Sequence, residues 1–141
     1  MRTGRGRFIT SPPDHARALL ARARDDFYVV RHLRGEADAP LWVLGLHAQQ
    51  AVEKALKSVL SSRDIEYPRT HNLVMLVEML RRAQIGLPPD ADALGLLVPF
   101  VVLLRYEDVE GAETQQIDPE GFDGCVARTI DWAVENLKKA D

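Results

Sequence analysis

The sequence has a single cysteine, Cys125, so no disulfide can form within the chain. A protein without disulfides fits a reducing cytoplasm, which is where we expect this one to be found. The longest apolar run, Ala93 to Leu104, is broken by Gly95 and Pro99 and is shorter than the roughly 20 residues that cross a bilayer. No apolar segment follows the basic N-terminal residues, so we expect neither a secretory signal nor a membrane anchor.

The sequence also lacks an excess of positive charge and a set of metal ligands. A net charge of -3 argues against a broad basic surface that grips nucleic acid unaided, and it leaves a local basic patch open. One cysteine and four scattered histidines lack the spacing of a metal site, so we expect no metal and no cofactor. With no repeat and no low-complexity tract, the 141 residues predict one domain with a buried core.

What the sequence does contain is helical periodicity. Residues 1–13 end in two prolines and are predicted to be a flexible tail, and Asp14 is the expected cap of the first helix in a single domain, 14–141. Apolar residues then recur at spacings of three and four, between short polar loops. This pattern predicts an all-α fold, an antiparallel up-and-down bundle of about five helices. The helices are predicted to begin near Asp14, Leu41, Leu73, Asp90 and Pro119.

The predicted second helix, from Leu41 to Ser62, has two faces of different chemistry. Its apolar residues fall within one arc of about 100° and predict the face that packs in the core. These residues are Leu44, Ala48, Ala51, Val52, Ala55 and Val59. The residues on the roughly opposite side are His47, Gln50, Lys54 and Lys57. Because lysine supplies positive charge and glutamine supplies amide donors, this polar face is a candidate phosphate site; the alternative is a solvated helix face.

Two other segments contribute candidate site residues. His71 precedes the third helix, and both it and His47 are candidates for ligand contact or proton transfer, or else for a structural hydrogen bond. Arg105 is expected at the end of a buried helix, where it either faces a cleft beside the second helix or pairs with a carboxylate such as that of Glu53. Tyr106 is suited to stacking on a base or to packing at the edge of the core.

Three motifs together resemble the HEPN domain in their order and spacing. They are His-Ala-Gln-Gln-Ala-Val-Glu-Lys-Ala-Leu-Lys at 47–57, Thr-His-Asn-Leu at 70–73 and Leu-Arg-Tyr at 104–106. The resemblance extends over about residues 14–139 and implies a helical bundle that commonly forms a homodimer. It also implies a partner, because many small members are paired with a minimal nucleotidyltransferase in a system that resembles a toxin and its antitoxin. The family was first proposed to bind nucleotides.

Many HEPN domains are metal-independent ribonucleases with an Arg-x4-6-His motif near the last helices. Counted from Arg105, the histidine would fall at one of three positions, which Glu110, Gly111 and Ala112 occupy here. None of the four histidines in the chain has an arginine at the required spacing before it. Attack by a 2′-hydroxyl needs a proton acceptor that titrates near neutral pH, and the sequence lacks the histidine that usually serves.

The sequence therefore predicts a HEPN-like interaction module that forms a homodimer and binds a minimal nucleotidyltransferase. One alternative is a ribonuclease with an altered site, built from Arg105 together with His71 or His47. The other is a protein that binds a nucleotide or another phosphate compound through Gln50, Lys54 and Arg105. In these two cases the ligand would be RNA or a nucleotide.

Overall fold

The computed structural model describes residues 11–94 and 119–140, with the backbone alone at 119, 120 and 122. Arg105, Tyr106 and most of the predicted fourth helix lie outside the described residues, as do positions 1–10 of the predicted tail. The described residues form helices and contain no strand, which agrees with the predicted all-α class. The count of about five helices remains a prediction.

Four helices lie within the described residues, and we number them in chain order. They are α1 (Pro12–Arg34), α2 (Leu41–Ser62), α3 (Leu73–Arg82) and α4 (Pro119–Ala140). Over this part of the chain, no helix combines the length and the apolar character that a membrane span requires. The bounds of α2 agree with those that its periodicity predicts.

The first helix begins earlier than predicted. Ser11, and not Asp14, is its N-cap, because the Ser11 hydroxyl accepts a hydrogen bond from the Asp14 amide at 3.3 Å. Pro12 and Pro13 occupy the first turn, where the missing amide hydrogens would have had no partner within the helix. The predicted cap is therefore wrong by three residues, and the prolines predicted to end a tail start α1 instead.

α2 is the central helix of the described structure and packs against α1, α3 and α4. All of the residues predicted for its apolar face are buried, and Leu44 is the most exposed of them at 4%. Ala23 of α1 belongs to the same buried cluster as the alanines of α2, and α1 and α2 pack against each other. This packing places the polar face of α2 beside α1.

The ends of the helices show how they run relative to one another. Ser61 near the end of α2 donates a hydrogen bond to the carbonyl of Pro12 at the start of α1, with a distance of 3.5 Å. Arg34 at the end of α1 lies 3.7 Å from the carboxylate of Asp123 near the start of α4. α1 is thus antiparallel to both α2 and α4, and these two helices run in the same direction.

Two polar side chains organise the start of the third helix, and Asn72 is its N-cap. The side chain of Asn72 accepts a hydrogen bond from the Met75 amide at 3.1 Å, while the Thr70 hydroxyl accepts one from the Asn72 amide at 3.0 Å. On its inner face α3 buries Leu73, Leu76, Val77 and Leu80 against the core. The capped loop therefore sets the position of His71, which lies between the two polar side chains in sequence.

Asn72→Ala is expected to lower the free energy of unfolding by about 1 kcal/mol, because the Met75 amide loses its acceptor. Urea denaturation monitored by circular dichroism measures the change. Asn72→Ser keeps a side-chain oxygen in place and should recover most of the stability. Equal losses in the two variants would show that the cap hydrogen bond does not stabilise α3.

Candidate functional site

The polar face of α2 is organised around two carboxylates, one supplied by α1 and one by α2 itself. Asp26 lies on α1 with its side chain 12% exposed, and Glu53 lies on α2 with its side chain 6% exposed. Carboxylates are seldom buried this far unless cations and hydrogen-bond donors surround them. Each of the two is indeed bonded to one histidine and one lysine.

Asp26 joins α1 to α2. Its Oδ1 lies 2.9 Å from Nδ1 of His47, and its Oδ2 accepts a hydrogen bond from Nζ of Lys54 at 2.7 Å. Since a carboxylate that faces an ammonium group acts as an acceptor, Nδ1 of His47 is the donor in this pair. His47 and Lys54 are seven residues apart, or about two helical turns, so both side chains reach α1 from the same face of α2.

Glu53 joins α2 to the loop before α3. Its Oε1 accepts hydrogen bonds from Nδ1 of His71 at 2.9 Å and from Nε2 of Gln49 at 3.0 Å. Its Oε2 accepts one from Nζ of Lys57 at 2.8 Å, one helical turn further along α2. Gln49 also donates to the backbone carbonyl of His71 at 3.0 Å, so this histidine is fixed at both its side chain and its backbone.

Two opposing effects act on the ionisation of Glu53. Burial raises the pKa of Glu53, while hydrogen bonds from Lys57, His71 and Gln49 lower it, and their sum leaves the pKa of Glu53 below its ordinary value. Glu53 is therefore a carboxylate at neutral pH and keeps its three donors. The ammonium of Lys57 also lies 5.3 Å from the centre of the Tyr67 ring, a cation–π contact that helps to hold the lysine in place.

His47, Lys54, Lys57 and His71, which the sequence identifies as candidate ligand contacts, are all bonded to these two carboxylates. Gln50 is half-buried on the same helix and takes part in neither group within the described residues. Of the four bonded residues His71 is the most open to solvent, with 77% of its side chain exposed. Its Nδ1 is directed to Glu53, so its Nε2, at the opposite edge of the ring, is the nitrogen available to a ligand.

Sequence reasoning missed Asp26 and Gln49, and the signal for Asp26 is visible in hindsight. Asp26 lies three residues after the buried Ala23 and four before the buried Val30, so it falls on the core-facing stripe of α1. A charged residue on such a stripe requires a partner from another element. The spacing of Glu53 and Lys57, four residues apart, predicts the pair that the structure shows, whereas His71 and Gln49 were not expected as partners of Glu53.

Two other classes of chemistry find little support in the described structure. Over residues 11–94 and 119–140, no three His, Cys, Asp or Glu side chains are grouped so that they could hold a metal ion. Cys125 lies on α4, where burial and the nearby charge of Asp90 raise the pKa of its thiol to about 11. The thiol is therefore protonated at neutral pH and is a poor nucleophile.

A comparison with known families agrees with this architecture. The model of the HEPN domain family matches residues 16–137. The chain belongs to the HEPN family. The match extends from the first turns of α1 to the end of α4 and includes both carboxylate groups. The two groups are thus part of the HEPN domain itself. Searches of curated proteins and of solved structures returned no match.

Proposed function

We propose that this HEPN domain is an interaction module, which forms a homodimer and binds a minimal nucleotidyltransferase as one half of a pair that resembles a toxin and its antitoxin. The observation that carries the proposal is the internal pairing of the polar face of α2. The cations expected to hold a phosphate hold the helices together instead, through Asp26 and Glu53. The absence of the Arg-x4-6-His motif supports the same conclusion.

The energetics of the paired lysines argue against phosphate binding on this face. For Lys54 to reach a ligand it must leave Asp26, and Lys57 must likewise leave Glu53. Either movement leaves a buried carboxylate without its cation, and separating a buried ion pair in this way costs several kcal/mol in comparable proteins. Calorimetry with adenosine and guanosine nucleotides should therefore detect no binding. Binding that disappears in Lys54→Ala would contradict the proposal and favour a nucleotide site.

The partnership is tested with the product of the neighbouring open reading frame. Co-expression of the two proteins and purification through a tag on one of them should yield a stable complex, and light scattering should give the mass of a homodimer for the HEPN chain alone. If that neighbour is not a nucleotidyltransferase, or if the HEPN chain is monomeric and purifies alone, the proposal fails.

The same proposal includes the domain organisation and the location of the protein. The chain from the start of α1 onwards would form one domain, with a helix in the predicted range 90–106 completing a bundle of about five helices. A tail that ends before α1, and so is shorter than the 13 residues predicted, would precede this domain in a cytoplasmic protein. Limited proteolysis tests the boundary, and cleavage should concentrate before the start of α1 rather than between α3 and α4.

A second function is favoured by one observation, the pairing of His71 with Glu53. A buried carboxylate orients the imidazole through Nδ1 and leaves Nε2 towards solvent, which is the arrangement of a histidine that accepts a proton in catalysis. This geometry supports a ribonuclease with an altered site, in which Nε2 of His71 would take the proton of an attacking 2′-hydroxyl and Arg105 would contact the phosphate.

Cleavage of RNA by highly purified protein decides between the two functions. Under the interaction-module proposal, no cleavage above that of a mock purification is expected. Under the alternative, His71→Ala and Arg105→Ala abolish cleavage, whereas His15→Ala does not, because His15 is an exposed histidine of α1 that contacts the Tyr67 hydroxyl and belongs to neither carboxylate group. Cleavage that is unchanged in all three variants would indicate a contaminating nuclease.

A further inference from the structure

The charge of the chain is distributed unevenly along the sequence. Residues 1–34 contain eight arginines and three acidic residues, a net charge of +5, whereas residues 35–141 contain ten basic and eighteen acidic residues, a net charge of -8. The overall value of -3 therefore conceals a basic N-terminal quarter. Charge asymmetry of this kind is typical of proteins with one surface for an anionic partner.

Within the described residues, three of the five arginines of α1 lie along one exposed face of the helix. Arg17, Arg24 and Arg31 are spaced by seven residues, so they share one face of the helix at intervals of about 10.5 Å. All three are exposed, and the buried residues of α1 lie on the adjacent face of the helix. We call this face, with Tyr28 and His32, the arginine strip.

The arginine strip also carries an aromatic pair. Tyr28 lies between Arg24 and Arg31 and is 62% exposed, the largest value among the exposed large apolar side chains of the described residues. Its ring contacts the ring of His32, with 4.0 Å between the centroids. Nδ1 of His32 donates to the Tyr28 carbonyl at 2.9 Å, which holds the histidine in place. Two flat rings are thus presented to solvent beside Arg24 and Arg31, on a side of the helix that also carries the exposed Asp25.

The arginines of the strip differ in how far they are neutralised. Arg17 pairs with Asp14, whereas Arg24 and Arg31 have no ion pair with any carboxylate in the described part of the chain. The guanidinium of Arg31 lies 5.4 Å from the centre of the Phe27 ring, a cation–π contact that does not neutralise its charge. Arg24 is the central cation of the strip.

α4 adds a further cation beside the strip. Lys138 lines a groove of about 190 Å³ together with Arg17 and Arg24, and the floor of this groove is apolar. Lys138 lies 3.4 Å from Glu135, so its charge is partly balanced. The groove therefore extends the positive surface from α1 towards α4, away from the polar face of α2.

We propose that the arginine strip binds single-stranded nucleic acid. Arg24 and Arg31 contact phosphates, and Tyr28 stacks on a base. Guanidinium groups are suited to phosphate oxygens, and exposed aromatic rings bind bases that are not stacked in a duplex. A surface for a polyanion alone, or for a lipid headgroup, would have no need of the rings. This surface is distinct from the α2 face, where the lysines are bonded to carboxylates, and it goes beyond a role in partner binding.

The test is fluorescence anisotropy of the full chain with a labelled single-stranded oligoribonucleotide of about 12 nucleotides, a length within the usual range of such sites. The double variant Arg24→Ala/Arg31→Ala is expected to bind roughly tenfold or more weakly than wild type at low salt. Two lost phosphate contacts should also reduce the slope of log K against log salt by about 1.4. The matched control is Arg81→Ala/Arg82→Ala, which removes two exposed arginines from α3 and should bind within about twofold of wild type.

The stacking contact is tested separately. Tyr28→Ala is expected to weaken binding at least fivefold, or roughly the lower limit for one stacked base, without changing the salt slope. Tyr28→Phe keeps the ring and should bind like wild type. A single-stranded DNA of the same sequence should compete, since the phosphates and bases are shared, and a duplex should compete weakly.

Three results would overturn the proposal. The first is an absence of binding at low salt, and the second is an equal loss of affinity in the α3 control variant. The third is full binding by Tyr28→Ala, combined with competition by heparin or a duplex that is as effective as competition by the single strand. The last result would identify a general polyanion surface. Thermal melting of each variant confirms that it is folded. Light scattering measures homodimer formation independently, so failure of the interaction-module proposal would not affect this one.

Discussion

Glu53→Ala is expected to lower the free energy of unfolding by about 3 to 5 kcal/mol, which is the usual cost of removing one partner from a buried ion pair. Glu53 is 5% exposed, and its removal leaves the ammonium of Lys57, itself only 12% exposed at its side chain, without a counter-charge. The amide of Gln49 and the imidazole of His71 lose their acceptor at the same time. Unsatisfied donors at a buried position add to the cost.

Urea denaturation at pH 7 measures this effect, and an exposed glutamate on α3 provides the control. Glu78 pairs with Arg81 and Arg82 on the surface, where the removal of such a pair costs less than about 1 kcal/mol. Glu78→Ala should therefore leave the unfolding midpoint close to that of wild type. If the two alanine variants lose the same stability, Glu53 is not the centre of a buried network.

The same network has a dependence on pH whose sign follows from the shift in pKa. The pKa of Glu53 is lower in the folded protein than in the unfolded chain, so its contribution to stability is fully present above the unfolded value, about 4.3. That contribution is lost as the pH falls from the pKa of Glu53 in the unfolded chain through its lower pKa in the folded protein. The difference in stability between wild type and Glu53→Gln should therefore shrink on acidification below about pH 5. A difference that is constant or growing would contradict the assignment.

Leu56→Ala is the second change with a large expected effect, a loss of about 2 to 5 kcal/mol. Leu56 is fully buried on α2, the helix that packs against α1, α3 and α4. Truncation to alanine removes the burial of its side chain and leaves a cavity that three neighbouring helices can close only by moving together. Because Asp26 ties α1 to α2 and Glu53 ties the loop before α3 to α2, the movement of these neighbours is restricted.

The unfolding midpoint in urea should fall while the slope of the transition stays unchanged, since the surface exposed on unfolding is nearly the same. The matched control is Val74→Ala on the outer face of α3, where the valine is 59% exposed and its truncation should cost less than about 0.5 kcal/mol. A loss at position 56 no larger than at position 74 would show that α2 is not the centre of the core.

Properties that depend on local spacing could be predicted from the sequence. The bounds of α2 and its whole apolar face follow from the recurrence of apolar side chains at the helical period, and Asn72 follows from the preference of helix starts for a short polar side chain. The start of α1 could not be predicted in this way. Ser11 and Asp14 are both good caps, and the choice between them depends on whether two prolines are accommodated in the first turn.

The role of the polar face of α2 depends on contacts between distant parts of the chain. Its residues could be identified because a helix places His47, Gln50, Lys54 and Lys57 on one side whatever surrounds it. Whether they meet a ligand or a carboxylate is decided elsewhere, by an aspartate on α1 that local periodicity alone would assign to the core. Arg105 and Tyr106, the other members of the predicted site, lie outside the described residues.

The amino-acid sequence by itself determined that the chain is helical, that α2 is amphipathic and that the chain resembles the HEPN family, because each of these follows from the order and spacing of nearby residues. Only the tertiary structure decided that Lys54 is neutralised and that His71 is bonded to Glu53, whereas Lys57 pairs with Glu53 one turn away on the same helix. Lys54 reaches Asp26 across 28 positions of sequence, and His71 reaches Glu53 across 18. Contacts over such separations depend on how the helices pack, and the periodicity of a single helix carries no information about which charge its neighbour presents.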